Sequence, residues 1–219
     1  DQTCSVWELD WQVVPIAGQP DPQNASVIIN AIERAVKQVK QEQFSALVTN
    51  PIAKSVLYEY GFKFSGHTEF LAELDSPDSF PVMMLANHSL RVVPLTIHIP
   101  LSDVEGTITA DLFKETIQVL EKALRQYFTC PFPRIAIAGL NPHAGEDGHM
   151  GRFETDTLIP LIQAQEITTA SLLGPFAADS LFHAGKHAGY DVVLCMYHDQ
   201  ALIPVKTVDF YRTVNITLG

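Results

Sequence analysis

The chain has 219 residues, 47% of them apolar and 18% charged, a composition that excludes a disordered polypeptide and gives ample material for a core. Lys+Arg 14 against Asp+Glu 25 leaves a formal net charge of -11. Such a surface repels phosphate backbones and argues against nucleic-acid binding, while leaving room for a small phosphorylated ligand. No apolar run approaches the ~20 residues of a membrane span. The first residues have no signal-peptide pattern, and Cys4, Cys130 and Cys195 are scattered outside any CxxC pair, so a reducing cytoplasm is the expected location. The chain opens at Asp1 without an initiator methionine and reads as a piece of something longer.

In chain order, residues 1–23 read as strand or coil. Ile28, Ile32, Ala35, Val36 and Val39 then recur at helical spacing between Asn24 and Glu42, with Asn24 as the expected cap. The apolar run Phe44–Thr49, stopped by Asn50-Pro51, predicts a buried strand. Val82–Leu85 and Arg91–Thr96 predict the next strands. Thr109 caps an amphipathic helix whose face is Leu112, Phe113, Thr116, Ile117, Leu120, Ala123 and Leu124, with Asp111 in its first turn. Further strands are predicted at Arg134–Gly139, Ile167–Leu172, Asp191–Met196 and Val214–Leu218, and helices at Thr155–Ala164 and Ala177–Phe182. Helix alternating with apolar strand is the rhythm of an α/β sheet.

Three of these strands finish in polar turns that carry a histidine: His98, His143 and His198. Ligands of α/β sheets gather outside the carboxyl ends of the strands, and three imidazoles converging there suit a divalent transition metal, zinc above all. A single strand-end histidine is more often an ordinary hydrogen-bonded residue; the repetition is what carries weight. His88, His183 and His187 lack that position and read as solvent-facing, with His149 intermediate. The segment Asn141–Gly151 crowds His143, Glu146, Asp147 and His149 between glycines and reads as a site loop. Ser65-Gly66-His67-Thr68 opens a helix that either holds a phosphate or is simply capped. Lys206 follows an apolar stretch and either snorkels to water or works desolvated as an acid or base. There is no GxGxxG and no Walker A pattern, so no Rossmann fingerprint supports a nucleotide.

Thr49–Lys54, Gly66–Phe70, Gly139–Gly151, Gly174-Pro175 with Ala178-Asp179, Met196–Gln200 and Val214–Gly219, in this order, resemble the 4-hydroxythreonine-4-phosphate dehydrogenases of pyridoxal phosphate biosynthesis. The resemblance implies a layered α/β fold like that of isocitrate and isopropylmalate dehydrogenases, with a mixed central sheet flanked by helices. It also implies that this is one α/β chain, the middle two-thirds of a two-lobed enzyme that lacks the family's glycine-rich start and its segments beyond Gly219. By position, His98, His143 and His198 match metal ligands. His67, Thr68, Lys206 and Asn215 match substrate-binding residues, and Asp179 and Asp199 lie in motifs near the site as candidate catalytic groups, with Lys206 the candidate for proton transfer. The implied chemistry is NAD- or NADP-dependent oxidation of 4-phosphohydroxy-L-threonine at its secondary alcohol, then decarboxylation to 3-amino-2-oxopropyl phosphate. A divalent metal assists, zinc first, with magnesium or cobalt as alternatives. The family works as a homodimer with each site at the subunit interface. A related dehydrogenase acting on another diol or phosphorylated hydroxy acid, and an inactive metal-binding remnant, are the competing readings.

Overall fold

The computed structural model describes residues 6–64, 66–76, 80–166, 169–183 and 189–219. It divides into two compact units, residues 1–79 and 80–219.

The first unit is helical. Asp21 caps a 3₁₀ turn at Pro22–Asn24, which leads into α1 (Ala25–Lys40), followed by α2 (Lys54–Glu59) and α3 (His67–Asp75). Its core gathers Ala25, Ile32, Val56, Leu57, Phe62 and Phe70. Phe62, Phe64 and Phe70 pack with ring centroids 5.0–5.3 Å apart. Asn24 does not cap α1 as expected. Its side chain is buried and bonds both backbone groups of Val13, accepting from the N–H at 3.1 Å and donating to the carbonyl at 2.7 Å, so it ties down the preceding segment instead. The predicted strand Phe44–Thr49 is irregular and mostly exposed, because no strand among the described residues pairs with it. Phe44 meets Trp7 edge to face at 6.2 Å, and Arg34 lies 4.1 Å over the Trp7 ring, beside an apolar hollow of about 540 Å³.

The second unit carries a mixed six-stranded sheet. Its strands are β1 (Val82–Ala86), β2 (Arg91–Pro94), β3 (Arg134–Ala138), β4 (Ser171–Phe176), β5 (Val192–Cys195) and β6 (Val214–Leu218), in the order β4-β3-β5-β2-β1-β6. Strands β4, β3, β5 and β2 run parallel; β1 is antiparallel to both β2 and β6. The helices of this unit are α4 (Val104–Thr107), α5 (Ala110–Tyr127), α6 (Ile159–Gln163) and α7 (His198–Val208). Alternate residues of the strands feed two cores. Ile135, Ile137, Val192 and Leu194 pack with Phe113, Ile117, Leu120 and Leu124 of α5. On the opposite face, Ala136, Ala138, Val193 and Cys195 pack with Ala201, Leu202 and Val205 of α7. Both faces are covered, as a parallel sheet requires. The Thr109 hydroxyl accepts from the Leu112 N–H at 3.2 Å, so the predicted cap is in place.

Three expectations shift. Ile167 and Thr168 of the predicted strand Ile167–Leu172 lie outside the described residues; β4 runs Ser171–Phe176, its pairing with β3 beginning at Arg134 and Ser171. Ala177–Phe182 yields only a 3₁₀ turn at Ala178–Ser180. Thr155–Ala164 opens as a π turn, Glu154–Leu158, before α6. Among the described residues no helix is long and apolar enough to cross a membrane. Cys130 and Cys195 are free, and burial pushes the Cys195 thiol strongly up, which makes it inert.

At the amino ends of the parallel strands, Asp191 accepts from the Arg134 backbone N–H at 2.8 Å and from its guanidinium at 3.1 and 3.3 Å, joining β3 to the start of β5. Burial opposes ionisation of Asp191, but the Arg134 contacts outweigh it and hold the carboxyl below its usual range. A lowered pKa contributes stability that is present above the unfolded value, about 3.9, and is lost as pH falls through the folded one. Asp191→Asn is expected to cost about 1–2 kcal/mol at neutral pH. In urea titrations across pH, the gap from the parent chain should close below about pH 4.

Candidate active site

The carboxyl ends of β2, β5 and β3 stand side by side because these strands are adjacent and parallel. Side chains stitch them together beyond the regular pairing. The Thr96 hydroxyl donates to the Met196 carbonyl at 2.8 Å, and the Leu95 N–H to the Cys195 carbonyl at 2.8 Å. Gln200 accepts from the Met196 N–H at 2.7 Å and donates to the Gly139 carbonyl at 2.8 Å, bridging the end of β5 to the end of β3.

His98 follows the first of these ends, with a left-handed φ of 52°. His198 is the first residue of α7. Their rings lie 5.6 Å apart between centroids and flank a cavity of about 240 Å³ whose wall includes Thr96, Leu101, Tyr197 and Asp199. His198 Nδ1 lies 2.7 Å from Asp199 Oδ1, which turns Nε2 into the free nitrogen of that ring.

His143 lies beyond β3 in a turn of unusual form. Five successive residues, His143 to Asp147, have φ between 43° and 82°, a left-handed helical turn. Four of them carry a Cβ, which at about 1–2 kcal/mol each makes the conformation costly unless its surroundings enforce it. Beneath it sits Glu154, fully buried. Its carboxylate accepts from the Asn141 N–H at 2.7 Å and from the Asn141 side-chain amide at 3.0 Å. Three glycines make room for this core: a Cβ on Gly139 would come 2.8 Å from Ala144 Cα, one on Gly145 2.7 Å from Glu154 Oε2, and one on Gly151 2.5 Å from the Asn141 amide nitrogen.

Asp179, Lys206 and Asn215 do not line this cavity. Asp179 is exposed in the turn after β4, at the same end of the sheet as the histidines. Asp199 serves His198. Lys206 is exposed in the last turn of α7, roughly 12 Å along the helix from His198. Of the two readings of this lysine the solvent-facing one holds: the apolar stretch before it buries Ala201, Leu202 and Val205, while the Lys206 side chain stays exposed. Asn215 pairs with Leu85 near the start of β6, which by strand direction is the sheet end away from the histidines. His67 and Thr68 open α3 in the first unit, where Gly66 provides no side-chain cap and the buried His67 Nε2 has no hydrogen-bond partner among the described residues. Ser65 and His187 lie outside the described residues; His88, His149 and His183 are exposed. Sequence reasoning missed Gln200, Asn141 and Glu154. The signal for Gln200 was its place next to a strand-end histidine; Glu154 had only its position between apolar residues.

His98 and His198 offer two of the imidazole donors that a divalent transition metal takes. Two imidazoles face one another, and one is oriented by a carboxylate, as metal-bound histidines usually are. The expected trio is not gathered, however. Among the described residues no group of three or more His, Cys, Asp or Glu side chains is close enough to hold an ion, and His143 is not part of the cavity wall.

Residues 1–219 match the family described as pyridoxal phosphate biosynthetic protein PdxA. The chain belongs to the PdxA family. It is 49% identical to 4-hydroxythreonine-4-phosphate dehydrogenase of Ruegeria sp. TM1040, covering 98% of this chain and 66% of that protein. To the Zymomonas mobilis enzyme of the same name it is 46% identical, covering 100% and 66%. The chain thus spans just under two thirds of these relatives. The crystal structure of the Klebsiella pneumoniae dehydrogenase superposes with a TM-score of 0.81 at 35% identity, over 92% of this chain and 61% of that one. A terephthalate dihydrodiol dehydrogenase from Burkholderia xenovorans, 23% identical with a TM-score of 0.71, shares the PdxA fold.

Gly145→Ala is expected to lose about 2–5 kcal/mol, from left-handed strain and collision with Glu154. Gly148→Ala, with φ 93° but no neighbour nearer than 3.8 Å, should lose only about 1–2 kcal/mol. Urea unfolding of the two variants separates the contributions.

Proposed function

We propose that this PdxA chain carries the metal- and substrate-binding part of a dehydrogenase that oxidises 4-phosphohydroxy-L-threonine with NAD or NADP and decarboxylates the product to 3-amino-2-oxopropyl phosphate. The observation that carries the reading is the His98–His198 pair at adjacent strand ends, with His143 following the next strand of the same sheet. His98, His143 and His198 are the proposed ligands of a divalent metal, zinc first. When bound, such a metal lowers the pKa of a coordinated hydroxyl and polarises the ketone that oxidation creates.

The chain's own residues have definable tasks. Asp199 holds the His198 ring in one orientation and fixes which nitrogen faces the cavity. His67 and Thr68 are proposed to bind the substrate's phosphate, a role supported by the start of α3, which has no side-chain cap, and by the buried His67 Nε2, which has no partner among the described residues. Binding a group remote from the reacting carbon fixes its geometry. Asp179 stands at the histidine end of the sheet and is the proposed further acid–base group. No segment is assigned to the dinucleotide.

Lys206 and Asn215 lie away from the histidines within one chain. A homodimer with each site between subunits accounts for them as substrate-binding or proton-transferring residues given across the interface. A cytoplasmic location suits the free, scattered cysteines.

The test is zinc titration by calorimetry, followed by NAD(P)H production from 4-phosphohydroxy-L-threonine by the zinc-loaded chain. His143→Ala and His98→Ala are each expected to weaken zinc at least tenfold and to lower turnover with it. Unchanged zinc affinity in both variants overturns the ligand assignment. Mixing His143→Ala with Lys206→Ala chains should restore part of the activity that each variant lacks; no recovery counts against a shared interface.

A further inference from the structure

The turn that carries His143 is held in a conformation its own residues disfavour, and the group that holds it is Glu154. We propose that Glu154 is a positioning residue: through Asn141 it locks residues 143–147 into the left-handed turn and so sets where the His143 imidazole stands. This rests on the reading of His143 as a site residue.

The chemistry of the contact is specific to a carboxylate. Asn141 offers two donors, its backbone N–H and its side-chain amide, and Glu154 meets them with one oxygen each, at 2.7 and 3.0 Å. A glutamine there has a single acceptor, so its amide would face one of the donors and leave a buried group unpaired. An aspartate is one methylene short of reach. The carboxylate is fully shielded from solvent, so water cannot replace what Asn141 supplies.

The same carboxylate is the post around which the turn closes. Gly145 packs so tightly on Oε2 that a Cβ would lie 2.7 Å away, and Gly139 approaches Oε1 to 3.2 Å on the same measure. The Met150 N–H returns to the Gly145 carbonyl at 3.0 Å, and the His149 N–H to the Glu146 carbonyl at 3.0 Å, completing the coil above it. Glu154 opens a π turn, whose wider circuit lets the sequence neighbours Phe153 and Glu154, together with Leu158, all point inward. Without the clamp, the four Cβ-bearing residues have every reason to relax to right-handed or extended backbone. His143 would then reach its working position in only a fraction of molecules, and apparent affinity for whatever it binds would fall by that fraction.

The experiment uses Glu154→Gln, with Asn141→Ala as a second variant that removes one donor and leaves the carboxylate. Amide hydrogen exchange of the metal-free chain reads the turn directly. Exchange across 142–150 should accelerate at least tenfold in the folded variant, with β3 and β5 unchanged. Zinc titration then reads the consequence: Glu154→Gln should raise the Kd ten- to a hundredfold, and in a His143→Ala background it should change the Kd no further. If Glu154→Gln does not fold, the same two readouts on Asn141→Ala decide the matter. Unchanged exchange in the turn, or losses in zinc affinity that simply add to that of His143→Ala, overturns the proposal. If His143→Ala leaves zinc binding untouched, the ligand reading fails by itself, and the exchange data still decide whether Glu154 sets the turn.

Discussion

Gln200 bonds at once to the end of its own strand and to the end of the next one, and the candidate site depends on that bridge. Backbone pairing between β3 and β5 stops at Ile137 and Leu194. Beyond it the chains are free to splay, each toward its own helix or turn. One side-chain amide, donating to Gly139 and accepting from Met196, carries the register past the end of the sheet. The Thr96 hydroxyl does the same between β2 and β5. Histidines that follow such anchored ends are placed by the sheet, not by the flexibility of their loops, as a site on a rigid scaffold requires.

The two ends of the sheet use charge differently. At the amino ends, an arginine and an aspartate satisfy one another and tie β3 to β5. At the carboxyl ends, the buried carboxylate of Glu154 meets only uncharged donors, both from Asn141. The first arrangement strengthens the fold; the second holds a costly backbone conformation next to the histidine end. Local strain of this kind persists only where surrounding contacts over-determine it, and the glycines at 139, 145 and 151 are the spaces through which those contacts reach.

The sheet was legible in the sequence where its signals were local. Arg134–Ala138 and Val192–Cys195 are short apolar runs bounded by turn residues, and α5 shows its buried stripe and its Thr109 cap in the sequence itself. The strand-end histidines followed from the α/β rhythm. What stayed hidden was set by partners distant in sequence. Phe44–Thr49 has the composition of a strand but no neighbour among the described residues. Asn24 looks like a cap and is drawn instead to Val13. Helix α7 was obscured by Pro204 and by the polar run at its start. The positions of Lys206 and Asn215 depend on strand direction, which no local pattern reveals.

The unpaired segment 44–49 bears on how the chain behaves in solution. It pairs with no strand among the described residues, and apolar side chains stand in the open, Val48 at 94% exposure and Phe44 at 51%. A strand-forming stretch in that condition is a template for pairing with another copy of itself. Were this chain to self-associate, the exposed strand of the helical unit would be one source and any interface of the sheet unit a separate one. A sedimentation or scattering measurement that reports only mass confounds them. Concentration dependence that vanishes when a charge is placed at Val48 belongs to the strand, and what survives that change arises elsewhere in the chain.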